Sequence, residues 1–142
     1  MLSDLIDLHH ALASAGWVAS DLYDSCLIVD LTTLRLTVID LDTYHRGPST
    51  NTMGRMFGST RFMAPEEFRL GAAIDQRTTV YTRAKITWHF GTRLTEQANQ
   101  FCGPHALRAV LEHAREPDSA KRFQSVNAFT TAWDAGRRSD TL

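Results

Sequence analysis

The chain has 142 residues, 43% of them hydrophobic and 22% charged, and its formal net charge is −1. This length matches one domain with a single core, and the composition excludes a disordered or collagen-like chain. The balanced charge provides no global field that would attract nucleic acid or an anionic membrane, so we expect neither as a partner.

Cysteine content and apolar runs bear on the compartment. Two cysteines, Cys26 and Cys102, do not form a disulfide framework, and they predict buried, inert thiols in a reducing compartment. The apolar runs are far shorter than the ~20 residues that span a bilayer. The N-terminus has acidic residues where a signal peptide needs basic ones. We therefore expect a cytoplasmic protein.

The first third of the chain predicts a helix and then a hairpin. Apolar residues recur at helical spacing over 2–15, and Gly16 ends that helix. Two short runs rich in β-branched residues, 26–30 and 34–40, predict an antiparallel pair with a turn at 30–33.

Aspartates flank both runs of this hairpin. Asp21 and Asp24 precede the first run, and Asp40 and Asp42 end the second. A hairpin brings Asp21 and Asp40 to the same end of the sheet, where two carboxylates could hold Mg²⁺ or orient a hydroxyl nucleophile. The alternative is that they are ordinary turn and cap aspartates.

The rest of the chain predicts a long loop followed by helices. Residues 43–62 lack periodicity, and a loop of that length inside a compact domain is usually functional. Pro65 predicts the start of a helix that Gly71 ends. Further helices are predicted over 76–90, around 107–114, and after Ser125 as N-cap. The order predicts a single-domain, mostly α-helical α+β fold.

Four sequence features follow one another along the chain. They are Asp21, Asp40-Leu41-Asp42, Gly58-Ser59-Thr60-Arg61-Phe62-Met63-Ala64-Pro65-Glu66, and Pro117-Asp118-Ser119-Ala120-Lys121-Arg122-Phe123. From about residue 2 to 135 the series resembles the C-terminal lobe of a eukaryotic-type Ser/Thr protein kinase, most specifically at 62–66. The resemblance implies one kinase-like domain over 1–142. It has a helix (2–15), a catalytic-loop-like segment with a hairpin (17–42), an activation-loop-like segment (43–66) and a helical remainder (67–135).

The resemblance also implies roles for individual residues. Asp21 would orient the acceptor hydroxyl, and Asp40 would hold Mg²⁺ with help from Asp42 or Asp24. Ser59 would lie at the substrate-side end of the loop, and Ile28 beneath the adenine of ATP. Glu66 and Arg122 would form a buried structural ion pair.

Departures from the family pattern weaken the catalytic expectation. The residues before Asp21 are Ala19-Ser20 in place of His-Arg, so control by loop phosphorylation is not expected. Tyr23 replaces a lysine that would neutralise the transferring phosphate, and Cys26 replaces an asparagine that would bind Mg²⁺. Thr79 stands where an aspartate would pin the catalytic loop.

The chain contains no glycine-rich phosphate loop and no strand lysine of the kinase type. Three hypotheses follow: a phosphotransferase half that needs a nucleotide lobe from elsewhere, a pseudokinase-type interaction module, or a truncated remnant. The resemblance implies ATP and Mg²⁺, but we expect the isolated chain not to bind them. We also expect a protein partner, or self-association, through the apolar face that contains Ile28 and Leu41.

Overall fold

The computed structural model describes residues 2–139, and this part of the chain is a mostly helical α+β fold. Its α-helices are α1 (Leu2–Ser14), α2 (Gln76–Gly91), α3 (His105–Ala114) and α4 (Val126–Arg138). Its strands are β1 (Trp17–Val18), β2 (Leu27–Asp30), β3 (Arg35–Val38), β4 (His45–Arg46), β5 (Ser49–Thr50) and β6 (Ala73–Ile74). The predicted mostly helical α+β class is confirmed, as are the helices predicted over 2–15, over 76–90, around 107–114 and after Ser125.

The main core lies between the four helices. On α2, Val80, Ala84 and Trp88 are buried, whereas Tyr81 is only half-buried. Side chains from the other three helices complete this cluster: Ile6, Ala13, Leu107, Leu111, Ala114, Val126, Phe129 and Trp133. Each large apolar side chain buried in this way contributes about 1.5–3 kcal/mol.

Local signals in the sequence set the helix ends. The Ser125 side chain accepts a hydrogen bond from the Ala128 N–H, which confirms the predicted N-cap of α4. Asp75 caps α2 in the same way through the Arg77 N–H. Gly16, with φ of +86°, follows α1 in a conformation that glycine adopts without steric cost.

The strands form three antiparallel two-stranded ladders. The predicted hairpin is present: β2 pairs with β3, and Ile28 lies opposite Thr37. Strand alternation leaves Leu27 and Val29 half-buried and Ile28 exposed. The other two ladders join distant parts of the chain, β1 with β4 and β5 with β6.

The structure corrects three predictions. Residues 43–62 are not simply a loop, because β4 and β5 lie within them and pair with distant strands. The helix predicted from Pro65 to Gly71 is only a 3₁₀ turn, Pro65–Phe68, because the Glu67 side chain folds back onto the Ala64 N–H. Cys102 is exposed rather than buried, since it lies in the irregular segment just before α3.

Candidate functional site

Asp21 lies in a short segment that three side chains tie to the rest of the fold. The Thr79 hydroxyl of α2 accepts a hydrogen bond from the Ala19 N–H at 3.0 Å. The Thr43 hydroxyl donates to the Ser20 carbonyl at 2.9 Å, and the Cys26 thiol to the Asp21 carbonyl at 3.6 Å. The backbone from residue 19 to residue 21 is therefore held by three side chains that all come from later parts of the chain.

The hairpin returns the chain to Asp21. The Ile39 N–H donates to the Cys26 carbonyl at 2.8 Å, which extends the ladder beyond β3 and delivers Asp40 beside Asp21. Burial raises the pKa of Asp21, and the charge of Asp40 raises it further. The two carboxylates that the sequence predicts to converge therefore interact electrostatically.

Both aspartates have a backbone conformation that non-glycine residues seldom adopt. The φ angles are 54° at Asp21 and 60° at Asp40. Asp tolerates this region better than most residues, yet such conformations cost free energy and concentrate at functional sites. Four further non-glycine residues among those described also have positive φ, so this conformation sets the direction of the two carboxylates but does not by itself mark them as functional.

Gly58 brings the loop to the same place. A Cβ atom at Gly58 would lie 2.9 Å from Met63 Cγ and 3.7 Å from Asp21 Oδ1, and its φ is +148°. Only glycine fits this position without strain. The adjoining Ser59 carbonyl accepts hydrogen bonds from the Phe62 and Met63 N–H groups, which folds the segment into a tight turn beside Asp21.

Asp42 and Asp24 do not extend this pair into a metal cage. Within residues 2–139, no group of three or more His, Cys, Asp or Glu side chains is arranged to hold a metal ion. Asp21 and Asp40 are the two carboxylates whose interaction the structure shows, and help from Asp42 or Asp24 stays a prediction. Two carboxylates suffice for Mg²⁺ that arrives bound to phosphates, because this ion keeps most of its other ligands as water and phosphate oxygen.

Apolar side chains are exposed on the hairpin beside the carboxylates. Ile28 is 53% exposed and Leu41 is 37% exposed. Leu41 also lines a cavity of about 270 Å³ with Leu12, Trp17 and Tyr44. The apolar face that contains Ile28 and Leu41, where the sequence predicts a nucleotide or a protein partner, is thus open to solvent.

Glu66 and Arg122 form a bidentate pair in the interior. Arg122 Nη1 lies 2.7 Å from Glu66 Oε1, and Nη2 lies 2.9 Å from Oε2, with both side chains almost fully buried. The other guanidinium hydrogens bond the carbonyls of Glu116, Arg77 and Pro117. Because every donor of Arg122 has a partner, this buried charge is fully compensated.

Sequence reasoning missed two buried charged residues. Glu67, which lies in the helix predicted over 65–71, is buried, and its Oε2 accepts a hydrogen bond from the Ala64 N–H at 2.7 Å. Burial raises the pKa of Glu67 to about 7. Arg83 is fully buried, and its Nη1 donates to the Ile6 carbonyl, but its Nε and Nη2 have no partner among the described residues. Helical spacing alone places Arg83 next to the core residues Val80 and Ala84, which is the signal that could have found it.

His9 and Cys26 have structural environments. His9 is buried, with Nδ1 donating to the Leu5 carbonyl and Nε2 accepting from the Tyr44 hydroxyl. Burial lowers the pKa of His9 to about 4, so the ring is neutral at physiological pH. Burial also raises the pKa of the Cys26 thiol, which disfavours its reactive thiolate form.

Comparison with known proteins adds no family. No protein-family model matches the chain, and no curated protein matches it. No helix within residues 2–139 is both long and apolar enough to cross a membrane.

Proposed function

We propose that this chain is the C-terminal half of a Ser/Thr protein-kinase-like phosphotransferase, active only with a nucleotide lobe supplied from elsewhere. That lobe would come from a further stretch of the same gene or from a second chain. Asp21 orients the acceptor hydroxyl and accepts its proton. The turn at Gly58-Ser59 lies along the substrate, and Ile28 lies beneath the adenine.

The observation that carries this proposal is the meeting of Asp21, Asp40 and Gly58 at one point. These residues are 37 positions apart from first to last, and each contributes what a hydroxyl-directed transfer needs. Asp21, with its raised pKa, is a better proton acceptor than an ordinary aspartate. The absence of a side chain at Gly58 lets the loop close against Met63 and Asp21, which places the Gly58-Ser59 turn next to that carboxylate.

The residues present fit Mg²⁺·ATP in part. Asp40 and Asp21 are the hard oxygen ligands that Mg²⁺ prefers, and Asp40 would hold the ion. Cys26 cannot serve as a second ligand of that type, because its thiol is directed at the Asp21 carbonyl. When bound, Mg²⁺ supplies charge neutralisation for the transferring phosphate. The residues of this chain supply positioning and the proton acceptor.

The second candidate is an interaction module without catalysis, of the pseudokinase type. Two features favour it: Tyr23 and Cys26 stand at positions where the kinase pattern requires a lysine and an asparagine, and Ile28 and Leu41 expose apolar surface beside the carboxylates. For such a module, the Glu66–Arg122 pair stabilises the fold, and the exposed apolar face with Ile28 and Leu41 binds a protein. A truncated remnant without activity is the third reading.

Phosphoryl transfer by a reconstituted complex tests the proposal. The chain is co-expressed with the product of the reading frame immediately upstream, which we expect to encode a glycine-rich loop and a strand lysine. The complex is assayed for transfer of the γ-phosphate of ATP to serine, threonine and tyrosine peptide pools. Asp21→Asn should abolish transfer, whereas the nearby Asp24→Asn should leave most of it.

The outcomes separate the candidates. Transfer that requires both Asp21 and Asp40 supports the phosphotransferase. A stable complex without transfer supports the interaction module. Absence of any such upstream reading frame, together with no transfer, contradicts the proposed function.

A further inference from the structure

Exposed large apolar side chains occur almost entirely on two surfaces of the described part of the chain. Nine of the ten such side chains fall on them, and the tenth is Leu94. On the hairpin surface, residues 24–42, they are Ile28, Leu31, Leu34, Ile39 and Leu41. On the loop surface, residues 53–70, they are Met53, Phe57, Phe68 and Leu70. Monomeric proteins seldom leave apolar side chains grouped in this way without a binding partner.

The two surfaces have opposite charge. The hairpin surface contains four aspartates (24, 30, 40 and 42) and one arginine, Arg35, a formal charge of −3. The loop surface contains three exposed arginines, Arg55, Arg61 and Arg69, whereas its two carboxylates, Glu66 and Glu67, are buried. It therefore presents a charge of +3 to solvent. Each surface therefore combines exposed apolar side chains with charged side chains of one predominant sign.

Hydrogen bonds and ring contacts make the loop surface continuous. The Met56 N–H donates to the Glu67 carbonyl at 2.9 Å, and the Arg55 guanidinium lies 6.0 Å from the ring centre of Phe68. Residues 53–57 therefore run beside residues 67–70. Their apolar and basic side chains form one patch rather than two.

The two surfaces adjoin across Asp21. Asp40 of the hairpin surface interacts with the Asp21 carboxylate, and the Cβ position of Gly58 on the loop surface is 3.7 Å from Asp21 Oδ1. One copy therefore presents an acidic half and a basic half side by side. A rotation of 180° about an axis near this boundary would place each half on the opposite half of a second copy.

We infer that a second copy of this chain binds here, with the acidic hairpin surface of one copy on the basic loop surface of the other. Both contacts form at once in a two-fold dimer, which buries the apolar side chains of both surfaces. Contact between two hairpin surfaces would set −3 against −3 and is disfavoured. This inference goes beyond the proposed function and does not depend on it, since no nucleotide or transfer step takes part. A nucleotide lobe that docks on the hairpin surface would have to displace the second copy.

Charge reversal with rescue tests the dimer. One variant, Arg61→Glu/Arg69→Glu, reverses the loop surface, and the other, Asp24→Lys/Asp42→Lys, reverses the hairpin surface. Sedimentation velocity of the full chain should give a dimer at micromolar concentration that weakens as NaCl rises. Each variant alone should be monomeric where the unmodified chain is dimeric, with Kd raised at least about tenfold. An equimolar mixture of the two variants should restore the dimer.

A matched control separates this contact from net charge. Arg108→Glu/Arg138→Glu changes the net charge as much as the loop variant but lies outside both surfaces, and it should dimerise normally. Circular dichroism and melting establish that each variant is folded. Where one is not, the neutral pair Arg61→Gln/Arg69→Gln or Asp24→Asn/Asp42→Asn replaces it. A monomer at the highest soluble concentration overturns the inference, as does a reversed variant that dimerises normally or a mixture that stays monomeric.

Discussion

The hydroxyl of Thr79, on the central helix α2, accepts a hydrogen bond from the backbone N–H of Ala19, 60 positions earlier in the chain. Both residues are buried. The bond fixes the segment that leads into Asp21 against the buried side of α2. Resemblance to kinases implies an aspartate at this position, whose carboxylate would accept the same hydrogen bond. The hydroxyl of Thr79 accepts it without adding a buried charge.

Loss of the Thr79 hydroxyl should destabilise the protein. Thr79→Val preserves the shape but leaves the Ala19 N–H buried without an acceptor, which costs about 1–3 kcal/mol. Thr79→Ser retains the hydroxyl and should cost clearly less. Urea denaturation of the three proteins measures the difference. Equal losses for Val and Ser would mean that the hydrogen bond contributes nothing.

The Glu66–Arg122 pair should behave as one unit. Either single alanine substitution leaves a buried charge unpaired and should cost about 3–5 kcal/mol. The double variant should cost much less than the sum of the two single losses. The same cycle on the exposed Arg108–Glu112 pair is the control, and its coupling should be at most about 0.5 kcal/mol. Additive losses at Glu66 and Arg122 would contradict the geometry.

Glu67 should make stability depend on pH. Its pKa is about 7 in the folded protein against 4.5 for an ordinary glutamate, mainly because it is buried. The folded state therefore holds this proton more tightly than the unfolded chain, so stability is greatest near pH 4.5 and below and falls as the pH rises through about 7. Other titrating groups add to this profile, so the difference between two proteins is the quantity to measure.

Glu67→Gln isolates that contribution. The glutamine oxygen can still accept the Ala64 N–H, but the side chain no longer ionises. Relative to the unmodified chain, the variant should gain stability between pH 5 and pH 8, by on the order of a few kcal/mol. Glu116→Gln, on the surface, is the matched control. A constant difference between the two proteins across this range would show that Glu67 does not titrate there.

Replacement of Arg83 should stabilise the protein. Its guanidinium is fully buried, two of its nitrogens have no partner among the described residues, and burial lowers its pKa to about 9. The guanidinium carbon lies 4.4 Å from the centre of the Phe129 ring, and Arg83→Met replaces this contact with an apolar one and removes the poorly compensated charge. Taking a charge out of water without full compensation costs several kcal/mol, so the variant should be more stable than the unmodified chain. Arg122→Met is the contrast, since every donor of Arg122 is bonded, and it should destabilise severely. A large loss at Arg83 would show that its charge is needed.

Mg²⁺·ATP should not stabilise the isolated chain. A ligand that binds only the folded state raises the free energy of unfolding by RT ln(1 + [L]/Kd). Under the proposed function the adenine would be enclosed between two lobes, and Ile28 would contribute one side of that enclosure. Millimolar Mg²⁺·ATP should therefore leave Tm unchanged. A rise of several degrees that Asp40→Asn abolishes would show that the chain binds the nucleotide without a second lobe.

Strands β4 and β5 and the turn at Glu67 all depend on contacts that local sequence patterns do not include. Strands β4 and β5 have two residues each, too few for alternation to be visible, and each exists only because a distant segment pairs with it. Pro65 predicts a helix over 65–71 that includes Glu67. The Glu67 side chain instead caps the Ala64 N–H and ends the turn after four residues. Local propensity does not include such competing contacts.

Periodicity and capping by themselves determined α1, the β2–β3 hairpin, α2 and the N-cap of α4, because these features depend on residues within a few positions of each other. Only the tertiary structure decided the rest. The hydroxyl of Thr79 reaches Ala19, the carbonyl of Ile6 receives Arg83, and Gly58 closes on Asp21. Each contact joins parts of the chain far apart in sequence, and its free energy depends on burial that no local pattern reveals.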